Sequence, residues 1–323
     1  VEAMARLTDV FPLSNLTFHE KEGARHEYRP MAEYLYNALP FFFPNGQDGN
    51  MNTYGHLTTA NTVKDVVEHE AFAGFGQFIL PAERRYDDNL PLRNVASMLP
   101  YHNYVTGERA VETINTMIDY VHDGNRLFYD IYSDAEKRAD SRKNDTGLFF
   151  FRGELGRPFA IVCPGGGWSY VGAIHEGFPL AIALSRMGYN AFSIQYRTGG
   201  AQVACEDLAA AIDFIMRHAG ELQVSTEDYS LWGGLAGARM AAYLGSYLTQ
   251  GFIDADNPRP AAVIMGYTSH TDYTRNDPPT YVVIGDNDGI ASASVMRQRV
   301  ENLRAAGIDA EFHLFPNLRH GFG

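Results

Sequence analysis

The chain has 323 residues, 45% of them hydrophobic and 20% charged, the composition of a globular protein able to bury a core. A formal charge of −13 makes nucleic acid or an anionic membrane surface a poor partner. With no run of roughly eighteen apolar residues, no membrane span is expected.

The opening residues, Val1-Glu2-Ala3-Met4-Ala5-Arg6, lack the basic start and apolar stretch of a secretion signal. The expected location is therefore cytoplasmic, with a mature secreted chain as the alternative. Two cysteines, Cys163 and Cys205, make no disulfide framework. Cys163 closes an apolar run at 159–163, which predicts a buried thiol.

Two regions are expected, 1–145 and 146–323. The first is rich in aromatics, Asn and Gly, with runs such as Leu39-Pro40-Phe41-Phe42-Phe43-Pro44 that suit neither a long helix nor a regular strand. Its one clear helix is predicted at 108–122, with Val111, Ile114, Ile118 and Val121 on the apolar face. The region reads as an N-terminal cap or extension packed on the core. Within it Tyr101, His102 and the pair Arg84 and Arg85 stand among apolar neighbours; surface or structural roles are expected for them, a share of the substrate pocket being the alternative.

From about residue 146, short apolar runs alternate with amphipathic stretches, the signature of βαβ units and a mostly parallel sheet. Strands are predicted at 147–152, 157–163, 190–196, 229–232, 261–265, 281–284 and 310–315. Helices are predicted at 176–187, 203–218 (Leu208, Ile212 and Ile215 on one face), 236–247 and 294–306.

Four motifs follow predicted strands. Pro164-Gly165-Gly166-Gly167-Trp168 lets the backbone turn so that N–H groups face a cavity, as an oxyanion requires. Gly233-Gly234-Leu235-Ala236-Gly237 has the frame of the Gly-x-Ser-x-Gly nucleophile elbow, with leucine where serine is expected. Gly285-Asp286-Asn287-Asp288-Gly289 offers an acid to orient a histidine, Asp288 being the choice and Asp286 the reserve. Arg319-His320-Gly321-Phe322 offers that histidine as general base.

From about Gly147 onward the chain resembles the esterase/lipase branch of the α/β-hydrolase superfamily, acetyl-esterase-like members in particular. Cys163-Pro164-Gly165-Gly166-Gly167, His175-Glu176-Gly177, Gln195-Tyr196-Arg197, Gly237-Ala238-Arg239-Met240-Ala241 and His320-Gly321-Phe322 carry the likeness. The resemblance implies an α/β fold, hydrolysis of carboxylic esters through an acyl-enzyme, and neither metal nor organic cofactor. The expected catalytic positions are Leu235, Asp288 and His320, with an oxyanion hole from Gly165, Gly166, Gly167 and Ala236. Trp168 and Tyr170 either line the substrate pocket or pack the cap on the core.

Two departures matter. Leu235 has no hydroxyl, and losing the nucleophile of such a triad costs roughly 10⁶ in kcat, so this chain is expected to hydrolyse esters poorly or not at all. Leucine at an elbow also carries about 1–3 kcal/mol of backbone strain. The chain stops three residues past His320, so a closing helix is expected to be missing. Ser169 and Ser230 are more often structural than replacement nucleophiles. His175 and Glu176 read as the start of a helix with the acid on its dipole, or as the rim of the substrate mouth; Arg239 reads as half of a structural ion pair. No His-Glu-x-x-His, Cys-x-x-Cys or phosphate-loop pattern occurs. The expected partner is a small-molecule ester or ligand. Two further readings stay open: a ligand-binding pseudoenzyme, and non-hydrolytic acid/base chemistry by His320 and Asp288.

Overall fold

The computed structural model describes residues 54–81, 83, 84 and 86–322; the run at 39–44 and Arg85 lie outside them. Helix α1 (Val63–Val67) opens on a reciprocal Thr62/Asp65 capping box. Short 3₁₀ turns at Glu70–Phe72, Gly76–Phe78 and Leu92–Met98 follow. Helix α2 (Gly107–His122) begins where the Thr106 side chain accepts the Arg109 N–H. It buries Val111, Ile114 and Ile118 as predicted, while Val121 is only half-buried. A two-residue strand β1 (Phe128–Tyr129) and helix α3 (Asp134–Ala139) complete this part.

The remaining elements alternate as predicted, apart from the short α6: β2 (Gly147–Phe151), β3 (Pro158–Cys163), α4 (Phe178–Arg186), β4 (Asn190–Gln195), α5 (Ala201–Arg217), α6 (Ala219–Leu222), β5 (Ser225–Gly234), α7 (Leu235–Tyr247), β6 (Ala262–Gly266), β7 (Thr280–Gly285), α8 (Ala293–Ala305) and β8 (Ala310–Phe315). The strands form one eight-stranded sheet in the order β1-β2-β4-β3-β5-β6-β7-β8. β2 is antiparallel to both β1 and β4, and every other pairing is parallel. The predicted strands all exist; β1 was not anticipated, because a two-residue run has no readable period.

The apolar runs are continuous because helices cover both faces of a parallel sheet. Every residue of β2 and β4 is buried. Ile161, Phe192 and Leu231 are each fully buried in β3, β4 and β5, and a side chain of that size stabilises by about 1.5–3 kcal/mol when withdrawn from water. Helix α5 lays Leu208, Ile212 and Ile215 into the same core. Residues on both sides of position 145, from Leu57 to Ala310, share one apolar cluster, and the compact unit that contains them begins at Tyr54.

Because β3, β5, β7 and β8 run parallel, their carboxyl ends lie along one edge of the sheet. The glycine turn follows β3, the elbow follows β5, the Asp288 loop follows β7 and the His320 loop follows β8. In open α/β sheets this edge is where ligands bind.

Candidate active site

The elbow is built by close approach. A Cβ on Gly237 would stand 1.8 Å from the Cys163 carbonyl oxygen at the end of β3, so no larger residue fits. Packing α7 this tightly on β3 and β5 forces the intervening residue into the left-handed region, and Leu235 takes φ 47°. It is the first residue of α7, behind Gly234. Its carbonyl accepts a hydrogen bond from Thr268 Oγ1 at 2.8 Å. As a first-turn residue of the helix, Ala236 has an N–H with no intrahelical acceptor.

The predicted acid and base meet. Asp288 Oδ1 and Oδ2 lie 2.9 and 2.8 Å from His320 Nδ1, and both side chains are almost wholly withdrawn from solvent. A carboxylate only accepts, so Nδ1 carries a proton, and in the neutral imidazole Nε2 is left with the lone pair. Asp288 is itself fixed by the N–H groups of Ile290 and Ala291, each donating to Oδ1 at 2.8 Å. The reserve acid, Asp286, instead accepts the Asn317 N–H at 2.7 Å. His320 Nε2 is buried and has no hydrogen-bond partner among the described residues. The Tyr267 ring packs edge-on to the His320 ring at 5.3 Å. Its hydroxyl would be 2.7 Å from a Cβ on Gly234, so one tyrosine touches both the base and the elbow.

The glycine turn differs from expectation in one donor. Gly165 N–H donates to Glu176 Oε2 and is thereby committed, whereas Gly166 and Gly167, at φ 135° and 63°, have N–H groups without a partner among the described residues. Tyr196 anchors the start of the turn by donating its hydroxyl to the Pro164 carbonyl at 2.7 Å. Trp168 is half-buried. Tyr170 is fully buried, and its hydroxyl meets His102 Nδ1 at 3.1 Å.

His175 and Glu176 stand at the start of a helix, as one of their two readings expects, with Glu176 in its first turn. They lie in a π-helical turn, Ala173–Gly177, ahead of α4, and both are buried. Glu176 Oε1 is 2.8 Å from His102 Nε2, a close contact poorly aligned for a hydrogen bond. Burial alone would raise the Glu176 pKa, but His102, the Gly165 N–H and His175 together hold it down at about 2. Burial and the neighbouring His102 lower the pKa of His175, which donates from Nε2 to the Gly321 carbonyl at 3.1 Å. No sequence signal marks Glu176 for this place, since its partners are brought from 11 and 74 positions away only by folding.

The replacement nucleophiles are occupied structurally. Ser169 Oγ donates to the Gly166 carbonyl at 2.9 Å, and Ser230 Oγ accepts from Trp232 Nε1 at 2.8 Å within β5. Arg197 holds buried Asp207, with its Nε at 3.0 Å from Oδ1. Arg239 forms no ion pair among the described residues, against expectation. Its charge and that of Arg299 bear instead on buried His270, whose pKa is pushed down to about 3 by burial and then by those two cations. Among the described residues no group of three or more His, Cys, Asp or Glu is arranged to hold a metal, and no helix is long and apolar enough to cross a membrane.

A mostly parallel eight-stranded sheet flanked by helices, with a glycine turn, an elbow, an acid and a histidine in that order along its carboxyl edge, is the α/β-hydrolase fold. The model of the BD-FAE family, an α/β-hydrolase family, matches residues 152–261, a stretch that holds the glycine turn and the elbow. No curated protein matches the chain. Among solved structures, Thermogutta terrifontis esterase 2 phosphonylated by cyclosarin aligns with 20% identity over 55% of this chain and 80% of its own, with a TM-score of 0.50. The same esterase with propionate bound aligns with 19% identity over 55% and 80%, TM-score 0.49. MGS-M1, an alpha/beta hydrolase from a Medee basin deep-sea metagenome library, aligns with 25% identity over 55% and 78%, TM-score 0.48. The first of these shares the fold of this chain.

Proposed function

We propose that the chain descends from serine carboxylesterases acting on small or medium acyl esters, and that Leu235 has removed its catalysis. The observation that carries this reading is the His320 imidazole oriented by buried Asp288, with an Nε2 that has no hydrogen-bond partner among the described residues. A general base needs a ring nitrogen free to take a proton, and the acid-held imidazole after β8 offers one.

In the parental chemistry a serine at 235 gives its proton to His320 Nε2 as its oxygen attacks the ester carbonyl. Asp288 holds the ring and stabilises the imidazolium. The N–H groups of Gly166, Gly167 and Ala236 are the donors for the oxyanion. The alkoxide leaves with the proton from His320, and water repeats the sequence on the acyl-enzyme. Leu235 supplies neither the oxygen nor the proton, so this chain should hydrolyse esters poorly or not at all. The similar fold is an esterase in Thermogutta terrifontis, which agrees with the reading. Two free, buried thiols, Cys163 and Cys205, favour a cytoplasmic setting.

A second reading, retention as a ligand-binding module for a small ester or related molecule, is favoured by Leu235 itself. One experiment separates them: hydrolysis of p-nitrophenyl acetate and butyrate by this chain and by its Leu235→Ser variant, both shown to be folded. The esterase reading expects serine to raise the rate by several orders of magnitude, up to about 10⁶. Two folded, inactive proteins would leave the binding module as the better account.

A further inference from the structure

Four consecutive residues ahead of α2 touch both halves of the site. A Cβ on Gly167 would come within 3.0 Å of Tyr101 Cε2, and Tyr101 stacks on Tyr170 at 5.8 Å and 6°. His102 meets Glu176, whose other oxygen takes the Gly165 N–H. Asn103 Nδ2 donates to the His320 carbonyl at 2.9 Å, and the Tyr104 hydroxyl accepts the Arg319 N–H at 3.1 Å. The first two residues therefore hold the glycine turn and the last two hold the loop of the base.

We propose that the segment 101–104 is the positioning strap of this site, fixing the distance between the His320 imidazole and the oxyanion donors. The inference rests on the esterase reading and adds that the region before the sheet is part of the machinery. The two loops it joins leave different strands, β3 and β8, which sit at separate places in the sheet order with β5, β6 and β7 between them. Sheet hydrogen bonds fix those strands but end at Cys163 and Phe315. Beyond these points, the strap and the bond from His175 to the Gly321 carbonyl tie the loops together. Asn103 is exposed, so its bond to the His320 main chain is not a by-product of core packing. His102, Asn103, Tyr104 and Glu176 are positioning residues; none is assigned a bond to substrate.

The test uses the Leu235→Ser protein as background, with Asn103→Ala and Asn103→Asp added separately; exposure of Asn103 makes both substitutions safe for folding, which thermal unfolding checks. With p-nitrophenyl butyrate, Asn103→Ala should lower kcat about tenfold and leave KM within about twofold, as expected for a misplaced base rather than a lost binding contact. Asn103→Asp keeps the shape, removes the donor and brings a carboxylate toward His320. It should lower kcat further and move the acidic limb of kcat/KM to higher pH. A kcat within about twofold of the background for both variants overturns the strap while leaving the esterase reading intact. Absence of turnover by Leu235→Ser itself overturns the esterase reading and the strap with it, so the two failures are told apart by the background protein alone.

Discussion

Asp288→Asn asks whether the acid sets the tautomer of His320. In the native chain the N–H groups of Ile290 and Ala291 both point at Oδ1, each at 2.8 Å. After substitution only the amide carbonyl accepts them, so the NH₂ group takes the place of Oδ2, 2.8 Å from His320 Nδ1. Nδ1 must then accept, and the ring proton moves to Nε2. The opposite amide orientation would leave two backbone donors facing an NH₂ group, a penalty of about 1–3 kcal/mol for each unsatisfied group. An Nε2–H cannot take a proton from a nucleophile, so kcat in the Leu235→Ser background should fall by about 10³–10⁴. The ground-state tautomer is also readable without any activity. Nitrogen-15 spectra of ring-labelled histidine should show a protonated Nδ1 at His320 in the native chain and a protonated Nε2 in the variant. A folded Asp288→Asn protein that keeps the Nδ1–H form, or a kcat within tenfold of the background, would refute this account of the pair.

Two predictions concern stability. His270, with a pKa of about 3 in the fold against 6.5 when unperturbed, binds fewer protons than the unfolded chain between those values. Its contribution is present above 6.5 and drains as the pH falls toward 3. From pH 7 to pH 5 this amounts to about 2 kcal/mol. Urea unfolding of the native chain and a non-titrating His270→Gln variant at both pH values measures it, and parallel pH dependence would contradict the burial argument. Gly237→Ala places a methyl group 1.8 Å from the Cys163 carbonyl oxygen, so α7 must move or β3 must shift. A loss of about 3 kcal/mol or more is expected in thermal unfolding, and an unchanged midpoint would mean that the elbow is not packed as described.

The sheet was legible because β2, β3 and β4 are buried almost throughout and appear as short apolar runs, with helices of a single apolar face between the later strands. The order of the glycine turn, Leu235, Asp288 and His320 was equally readable, since each follows one of those strands. The contacts made across the fold were not. Nothing local distinguishes Glu176 from any acid near a helix start, and its burial depends on His102 and on a glycine N–H from another loop. Tyr101-His102-Asn103-Tyr104 lies in a stretch without periodicity, where aromatics and polar residues look like surface. Its partners, Gly167, Glu176, His320 and Arg319, lie far along the chain. Arg239 failed for the converse reason: an arginine on a helix suggests a carboxylate partner, but pairing depends on what the fold brings beside it.

Not every preserved feature of the site is evidence of chemistry. Gly237 would be retained by any chain with this fold, because a side chain there collides with the backbone at the end of β3. The left-handed residue at 235 is imposed by the same packing, and its φ of 47° persists with leucine in place. The elbow frame therefore argues for the scaffold alone. The Asp288–His320 pair argues differently. A buried nitrogen without a partner costs about 1–3 kcal/mol, and apolar residues of similar volume would fill the space at no such cost. Packing thus accounts for the glycines and the strained leucine, but not by itself for an imidazole that Asp288 orients, and that pair is the part of the site that bears on catalysis or ligand binding.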